Sequence, residues 1–333
     1  MLTTEQVRKR LKDIKAGVYS DCYVKSSAGR NWPEYEKELS QSIRSAFREI
    51  SPLIDEATTC IKTTKGRGPI RKLSLKQRVT LLLIKELIGH SNRMMASMLV
   101  IFSMLNDIDV SYKTIERLYS DSEVALAIHN LHVLMLQKKG VGNADTSGDG
   151  TGYMLTIDKH YSSVVQKRHD GAKEVKYGEN QLRREFVFKF ALLDLNTFMY
   201  IAYGTSLKSE KEAFDRAMEM LKTLDITIKS VRLDKYYSQP SYVDRFPDAK
   251  VYIIPKDNCT LKGSQKWKNT LKEFMRDTEG YLHEYHRRES SESAFSADKR
   301  RFGWKIEQKL TGRINCTVSC LVLWHNLLKL NAG

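Results

Sequence analysis

Two extended segments in the middle of the chain set the terms for its fold. Glu185-Phe-Val-Phe-Lys-Phe-Ala-Leu-Leu-Asp-Leu195 and Thr197-Phe-Met-Tyr-Ile-Ala-Tyr203 are rich in aliphatic and aromatic residues. They read as two strands joined at Asn196. Ser209–Leu224 follows as an amphipathic helix, with Ala213, Ala217, Met220, Leu221 and Leu224 directed inward. Ile226-Thr-Ile-Lys-Ser-Val-Arg-Leu-Asp234 is a further strand, and it ends on an acid; Lys250–Pro255 is the next. Strands and helices in this order build an α/β unit around a mixed sheet.

The richest chemistry lies downstream, in residues 281–304, Tyr281-Leu-His-Glu-Tyr-His-Arg-Arg-Glu-Ser-Ser-Glu-Ser-Ala-Phe-Ser-Ala-Asp-Lys-Arg-Arg-Phe-Gly-Trp304. As a single helix turning about 100° per residue, it would place Tyr285, Arg288, Glu292 and Lys299 on one stripe roughly 60° wide. A carboxylate flanked by cations and a hydroxyl is what a protein needs to hold a divalent metal against a nucleic-acid phosphate. The plain alternative is a solvated charged face.

The spacing Tyr-x2-Arg-x3-Glu-x6-Lys, with the flanking string Arg288-Glu-Ser-Ser-Glu292-Ser-Ala-Phe-Ser-Ala-Asp-Lys299-Arg-Arg-Phe-Gly303, resembles the signature of one branch of the DDE transposases of bacterial and archaeal insertion sequences. Ser91-Asn-Arg-Met-Met-Ala-Ser-Met-Leu99 also resembles what precedes their catalytic domain. The resemblance implies a ribonuclease H-like (retroviral integrase-like) sheet flanked by helices. In it Glu292 is the third metal-binding carboxylate, and Tyr285, Arg288 and Lys299 contact DNA phosphates. It also implies two Mg²⁺ or Mn²⁺ ions per active site, DNA cleavage and strand transfer at terminal inverted repeats, and a homodimer or larger assembly. All-carboxylate sites suit such hard cations.

Two more carboxylates are then required upstream, on strands. Asp234-Lys-Tyr-Tyr-Ser238 matches the family's second Asp, which a Tyr commonly follows; an ordinary acid after a strand is the alternative. The first lies in Asn143-Ala-Asp-Thr-Ser-Gly-Asp-Gly-Thr-Gly-Tyr-Met-Leu-Thr156. A phosphate loop fails there for want of Gly-Lys-Ser/Thr, and a calcium loop fails at its twelfth position, Thr156. As a strand, the segment offers Asp149, with Tyr153 following, or Asp145. The two lie roughly 13 Å apart and cannot share one metal cluster. Asp149 is preferred and Asp145 stays open. Residues 235–291 leave no room for the β-rich insertion some relatives carry. Trp267, ahead of the signature stretch, either stacks on an unpaired base or packs in the core.

The N-terminal half reads as helical. Residues 1–61 form a helical region, 62–76 a basic linker or arm broken by Gly66, Gly68 and Pro69, and 77–140 a helical DNA-binding region ahead of a catalytic domain over 141–333. Helices at Gln77–Ile88 and Asn92–Leu105, a polar turn, and a short helix from Tyr112 capped by Ser111 outline a helix-turn-helix. Lys113 and Arg117 would face the groove. An ordinary helical bundle is the alternative.

The net charge of +15 calls for a polyanionic partner, and double-stranded DNA is favoured over a membrane because no apolar run reaches spanning length. The five cysteines, Cys22, Cys60, Cys259, Cys316 and Cys320, include no Cys-x2-Cys pair. With no signal-peptide pattern at Met1, a reduced, cytoplasmic, nucleoid-associated prokaryotic protein is expected. Two rivals remain: a catalytically silent DNA-binding regulator derived from a transposase, and a nuclease or resolvase of the same fold.

Overall fold

The computed structural model describes residues 2–20, 31–62, 73–89, 99, 110–155, 186–308 and 310–331. The expected Asn92–Leu105 helix apart from Leu99, residues 63–72 of the basic arm and the basic segment 158–183 lie outside them. Helices come first: α1 (Thr4–Lys15), α2 (Trp32–Thr59), α3 (Leu75–Ile88), α4 (Tyr112–Leu118) and α5 (Ser122–Lys138). Local signals fix their starts. Thr3 with Gln6, and Ser74 with Gln77, form reciprocal capping boxes, and Gly89 ends α3 in the left-handed conformation.

A mixed sheet follows: β1 (Asn143–Leu155), β2 (Phe186–Asp194) and β3 (Tyr200–Ser206), then α6 (Glu210–Lys222), then β4 (Thr227–Leu233) and, after the short α7 (Pro240–Val243), β5 (Lys250–Tyr252). Its order is β3-β2-β1-β4-β5. The β1, β2 and β3 pairs are antiparallel, whereas β4 lies parallel to β1 and β5 parallel to β4. The two segments flanking Asn196 are thus the predicted hairpin, and Ser209 caps α6 as the first helix after it.

Beyond the sheet run α8 (Gln265–Arg276), α9 (Thr278–His286), α10 (Glu289–Phe302), the short β6 (Lys305–Ile306) and α11 (Thr311–Leu330). The expected single helix over the signature is therefore two. At Arg287 and Arg288 the backbone stays right-handed, but the bonds tighten: Arg288 N–H reaches Tyr285 O at 3.1 Å, and Ser291 N–H reaches Arg288 O at 3.0 Å. This three-residue spacing breaks the regular four-residue ladder and offsets the two halves of the stripe.

α11 is apolar on all sides and accordingly buried; its neighbours are α2, α3, α5 and β3. Trp324 is fully enclosed and donates its indole N–H to Leu83 O at 2.7 Å. Cys316 and Cys320 are buried in the same helix as small core residues. One continuous apolar core thus runs from Val7 in α1 through the sheet to Leu330.

Candidate catalytic site

β1 and β4 carry two acids to the same edge by register alone. Their parallel pairing runs out at Gly148 and Leu233, so the next residue on each strand is an aspartate, Asp149 and Asp234. β1 pairs with β2 without a shift from Thr146 to Met154, so Gly148 introduces no bulge there, and the irregularity lies between Ala144 and Asp145, on the β4 side. Asp234 accepts a 2.8 Å bond from Tyr236 N–H and so starts the 3₁₀ turn Lys235–Tyr237. Asp149 accepts one of 2.8 Å from Gly150 N–H.

The joint between α9 and α10 docks on β1 just before Asp149. Ser147 Oγ donates to Arg288 O at 3.1 Å, and Ser291 Oγ donates to Ser147 Oγ at 2.7 Å. These bonds hold the start of α10 over the acid edge. Arg288 then reaches across it, 3.4 Å from Asp234 Oδ2 and 2.6 Å from Glu292 Oε1. Its guanidinium also lies 5.5 Å from the centre of the buried Tyr285 ring.

Asp149 lies within electrostatic reach of the other two acids. Burial pushes the Asp149 carboxyl up to about 7; the Gly150 N–H and Arg288 oppose this, and the charges of Asp234 and Glu292 add to it. Tyr285 is pushed up to about 12, chiefly by burial and further by Asp234 and Asp149, with Arg288 opposing. Among the described residues, no three His, Cys, Asp or Glu side chains stand close enough as placed to hold one ion. Arg288 spans the space between Asp234 and Glu292 instead.

A probable transposase of the insertion sequence element ISA1214 from Archaeoglobus fulgidus is 38% identical to this chain over 297 residues, covering 89% of the chain and 87% of that protein. The chain belongs to the insertion-sequence transposases. No protein-family model matches it, and no solved structure does.

In this transposase the candidate residues divide into groups. Asp149, Asp234, Glu292, Arg288 and Tyr285 are drawn together. Lys299 stands about two turns along α10 from Glu292, its ammonium 5.7 Å from the Tyr153 ring and 5.0 Å from that of the exposed Trp304. Asp145 belongs to a different cluster. It accepts a 2.6 Å bond from Ser230 Oγ, and Ser230 is held by Arg232, which pairs with Glu284 of α9. Trp267 requires a correction: it is 2% exposed, and its indole N–H donates to Thr260 O at 2.9 Å, so its ring is committed to the core. Lys113 and Arg117 are exposed on α4, while Ile115 and Leu118 bury the helix's other side. Ser111 occupies the cap position of α4 without a side-chain bond. The helix expected to precede α4 lies outside the described residues.

Three features of this edge escape the motif. Glu210, at the start of α6, accepts a hydrogen bond from the buried Tyr237 hydroxyl, two residues after the Asp234–Lys235 step. Gly150 makes room for it: a Cβ there would lie 2.3 Å from Glu210 Oε1. Asp298 anchors α10 from below, accepting from Tyr200 Oη at 2.8 Å and pairing with His325 Nδ1 of α11 at 2.7 Å. Burial works to raise the Asp298 carboxyl, but His325, Lys189 and Tyr200 hold it below the usual carboxylate range. The alternation Gly148, Gly150, Gly152 was the available signal for close approach on one face of β1.

Proposed function

We propose that the chain is a DDE-type transposase with a ribonuclease H-like catalytic domain, which binds the inverted repeats of its element and catalyses DNA strand cleavage and strand transfer with Asp149, Asp234 and Glu292. The supporting observation is that Arg288 pairs with both Asp234 and Glu292 at the edge where β1 and β4 part, the edge at which Asp149 follows the last β1 residue paired with β4. The strand order, with a hairpin followed by parallel strands and an acid-bearing helix, agrees with that fold. The chain's net charge of +15 suits double-stranded DNA as the substrate.

The donor set fits divalent metal. Three carboxylates supply only hard oxygen ligands, and a bound cation would offset the burial and the neighbouring acid charges that raise the Asp149 carboxyl. Mg²⁺ or Mn²⁺, two ions when bound, would supply Lewis-acid activation of the attacking oxygen and charge relief at the leaving oxygen. The chain's own residues have distinct tasks. Asp149 and Asp234 come from adjacent strand ends and form the fixed side of the site. Glu292 is half-exposed, with 51% of its side chain accessible, and closes the site from α10. Arg288 balances Asp234 and Glu292 now; released from them, its fork of donors would turn to a DNA phosphate. Lys299 sits farther along the same helix and would hold a phosphate one or more nucleotides away.

The test is a cleavage assay on DNA carrying the element's ends. Glu292→Gln is expected to abolish Mg²⁺-dependent cleavage while leaving end binding nearly intact. Glu289→Gln should remain active, since Glu292 and not Glu289 pairs with Arg288. The opposite pattern would shift the signature register and overturn the assignment.

A further inference from the structure

The outer face of α2 carries a charge pattern that the catalytic edge leaves unused. Lys37, Arg44 and Arg48 all fall within roughly 40° of one another around the helix axis. The buried Ala46, Ile50, Leu53 and Ala57 lie on the opposite side, packed towards α3, α5 and α11. All three cations are exposed, and among the described residues none has a hydrogen bond or ion pair. The acids of the same helix are engaged elsewhere or turned away. Glu49 pairs with Lys138, Asp55 with Lys76, and Glu34 with Asn31 at the helix start. Glu36 and Glu38 project roughly 100° to either side of Lys37, and Glu56 lies about two turns beyond Arg48.

A solvated helix face normally interleaves opposite charges four residues apart. Here the residue four after Lys37 is Gln41, and the residue four after Arg44 is Arg48, so like charges adjoin. Together with Ser40, Gln41 and Ser45, the cations line one side of a surface space of 530 Å³, and among the described residues that line it there are hydrogen-bond donors and no carboxylate. From Lys37 to Arg48 the helix rises about 16 Å, the axial length of about five base pairs.

We propose that this stripe is a second DNA-contact surface, which grips the phosphate backbone of duplex DNA without reading its sequence. The proposal rests on the transposase reading, but it assigns a role to a helix remote in sequence from both the catalytic acids and α4. Polar side chains that meet phosphate fix a protein on the duplex and carry no base information, which is what Lys, Arg, Ser and Gln on one face would do.

The experiment is a binding titration by fluorescence anisotropy with the full-length protein over a range of salt concentrations. It uses an element-end duplex and an unrelated duplex of the same length. The variant is Lys37→Gln/Arg44→Gln/Arg48→Gln, whose melting temperature should match wild type because all three side chains are exposed. The slope of log affinity against log salt is expected to become shallower by about two to three on both duplexes, close to 0.9 for each phosphate that the variant no longer neutralises. An unchanged slope in the variant, with wild type binding normally, overturns the stripe alone. A weakening confined to the element-end duplex overturns the backbone grip in favour of sequence reading. Wild-type protein that binds neither duplex overturns the transposase reading and, with it, this proposal.

Discussion

Replacing Asp149 by Asn should stabilise the metal-free protein and silence it in the same step. Burial, reinforced by Asp234 and Glu292, raises the Asp149 carboxyl from 3.8 to about 7. A folded-state value above the unfolded one means that the ionised form costs stability. The cost is absent below the unfolded value, grows as pH rises towards 7, and is then constant. Three pH units correspond to about 4 kcal/mol at pH 8, and to about 2 kcal/mol at pH 5, where Asp149 is protonated in the folded chain. Because the carboxyl retains some solvent access, these are upper bounds. Asn keeps an oxygen to accept the Gly150 N–H, so the swap removes charge and little else. In the presence of a chelator, the variant should melt several degrees above wild type at pH 8, and its advantage should shrink at pH 5. Added Mg²⁺ should stabilise wild type and leave the variant unmoved, while cleavage by the variant is lost. A variant no more stable than wild type at pH 8, or an advantage that does not shrink at pH 5, would refute the account of Asp149 as a carboxylate held among like charges.

Asp145→Asn should retain cleavage, because Asp145 is tied to Ser230 in a cluster apart from the acid edge; a dead variant with a normal melting curve would move the first carboxylate back to 145. Joint replacement of Lys113 and Arg117 by Gln should weaken binding to the element's ends and lower the salt slope by up to about two; anisotropy at several salt concentrations decides it. Gly150→Ala should push Glu210 away from β1 and break its bond with Tyr237. The expected cost is about 1–2 kcal/mol in thermal unfolding, with a fall in cleavage larger than the stability loss alone would give.

The hairpin, α6 and the β4 strand ending in Asp234 could be read from periodicity because each is a local pattern: β-rich runs joined at Asn196, a helical repeat of apolar residues, and an acid at a strand end. The gathering of Tyr285, Arg288 and Glu292 was legible from spacing for the same reason. The joint at Arg287 and Arg288 was not. It depends on Ser147 and Ser291, residues more than a hundred positions apart in the chain, and nothing local marks it. The same limit applies to Trp267, whose position before the signature said nothing about the pocket that closes on it. Glu210 was hidden in a helix that reads as plainly amphipathic; only the missing Cβ of Gly150, on a strand 60 residues earlier, shows why a carboxylate can approach there. Asp149 could be ranked above Asp145 but not placed level with Asp234, since that placement turns on how β1 registers with β4.

The central claim is that Asp149, Asp234 and Glu292 hold divalent metal at the strand edge. Anomalous diffraction from Mn²⁺-containing crystals of the protein bound to its element's end tests this most directly. The account predicts manganese peaks between these three carboxylates, with Arg288 moved from Asp234 and Glu292 to a DNA phosphate. Manganese ligated elsewhere, with Arg288 still bridging Asp234 and Glu292 in the DNA complex, would contradict it.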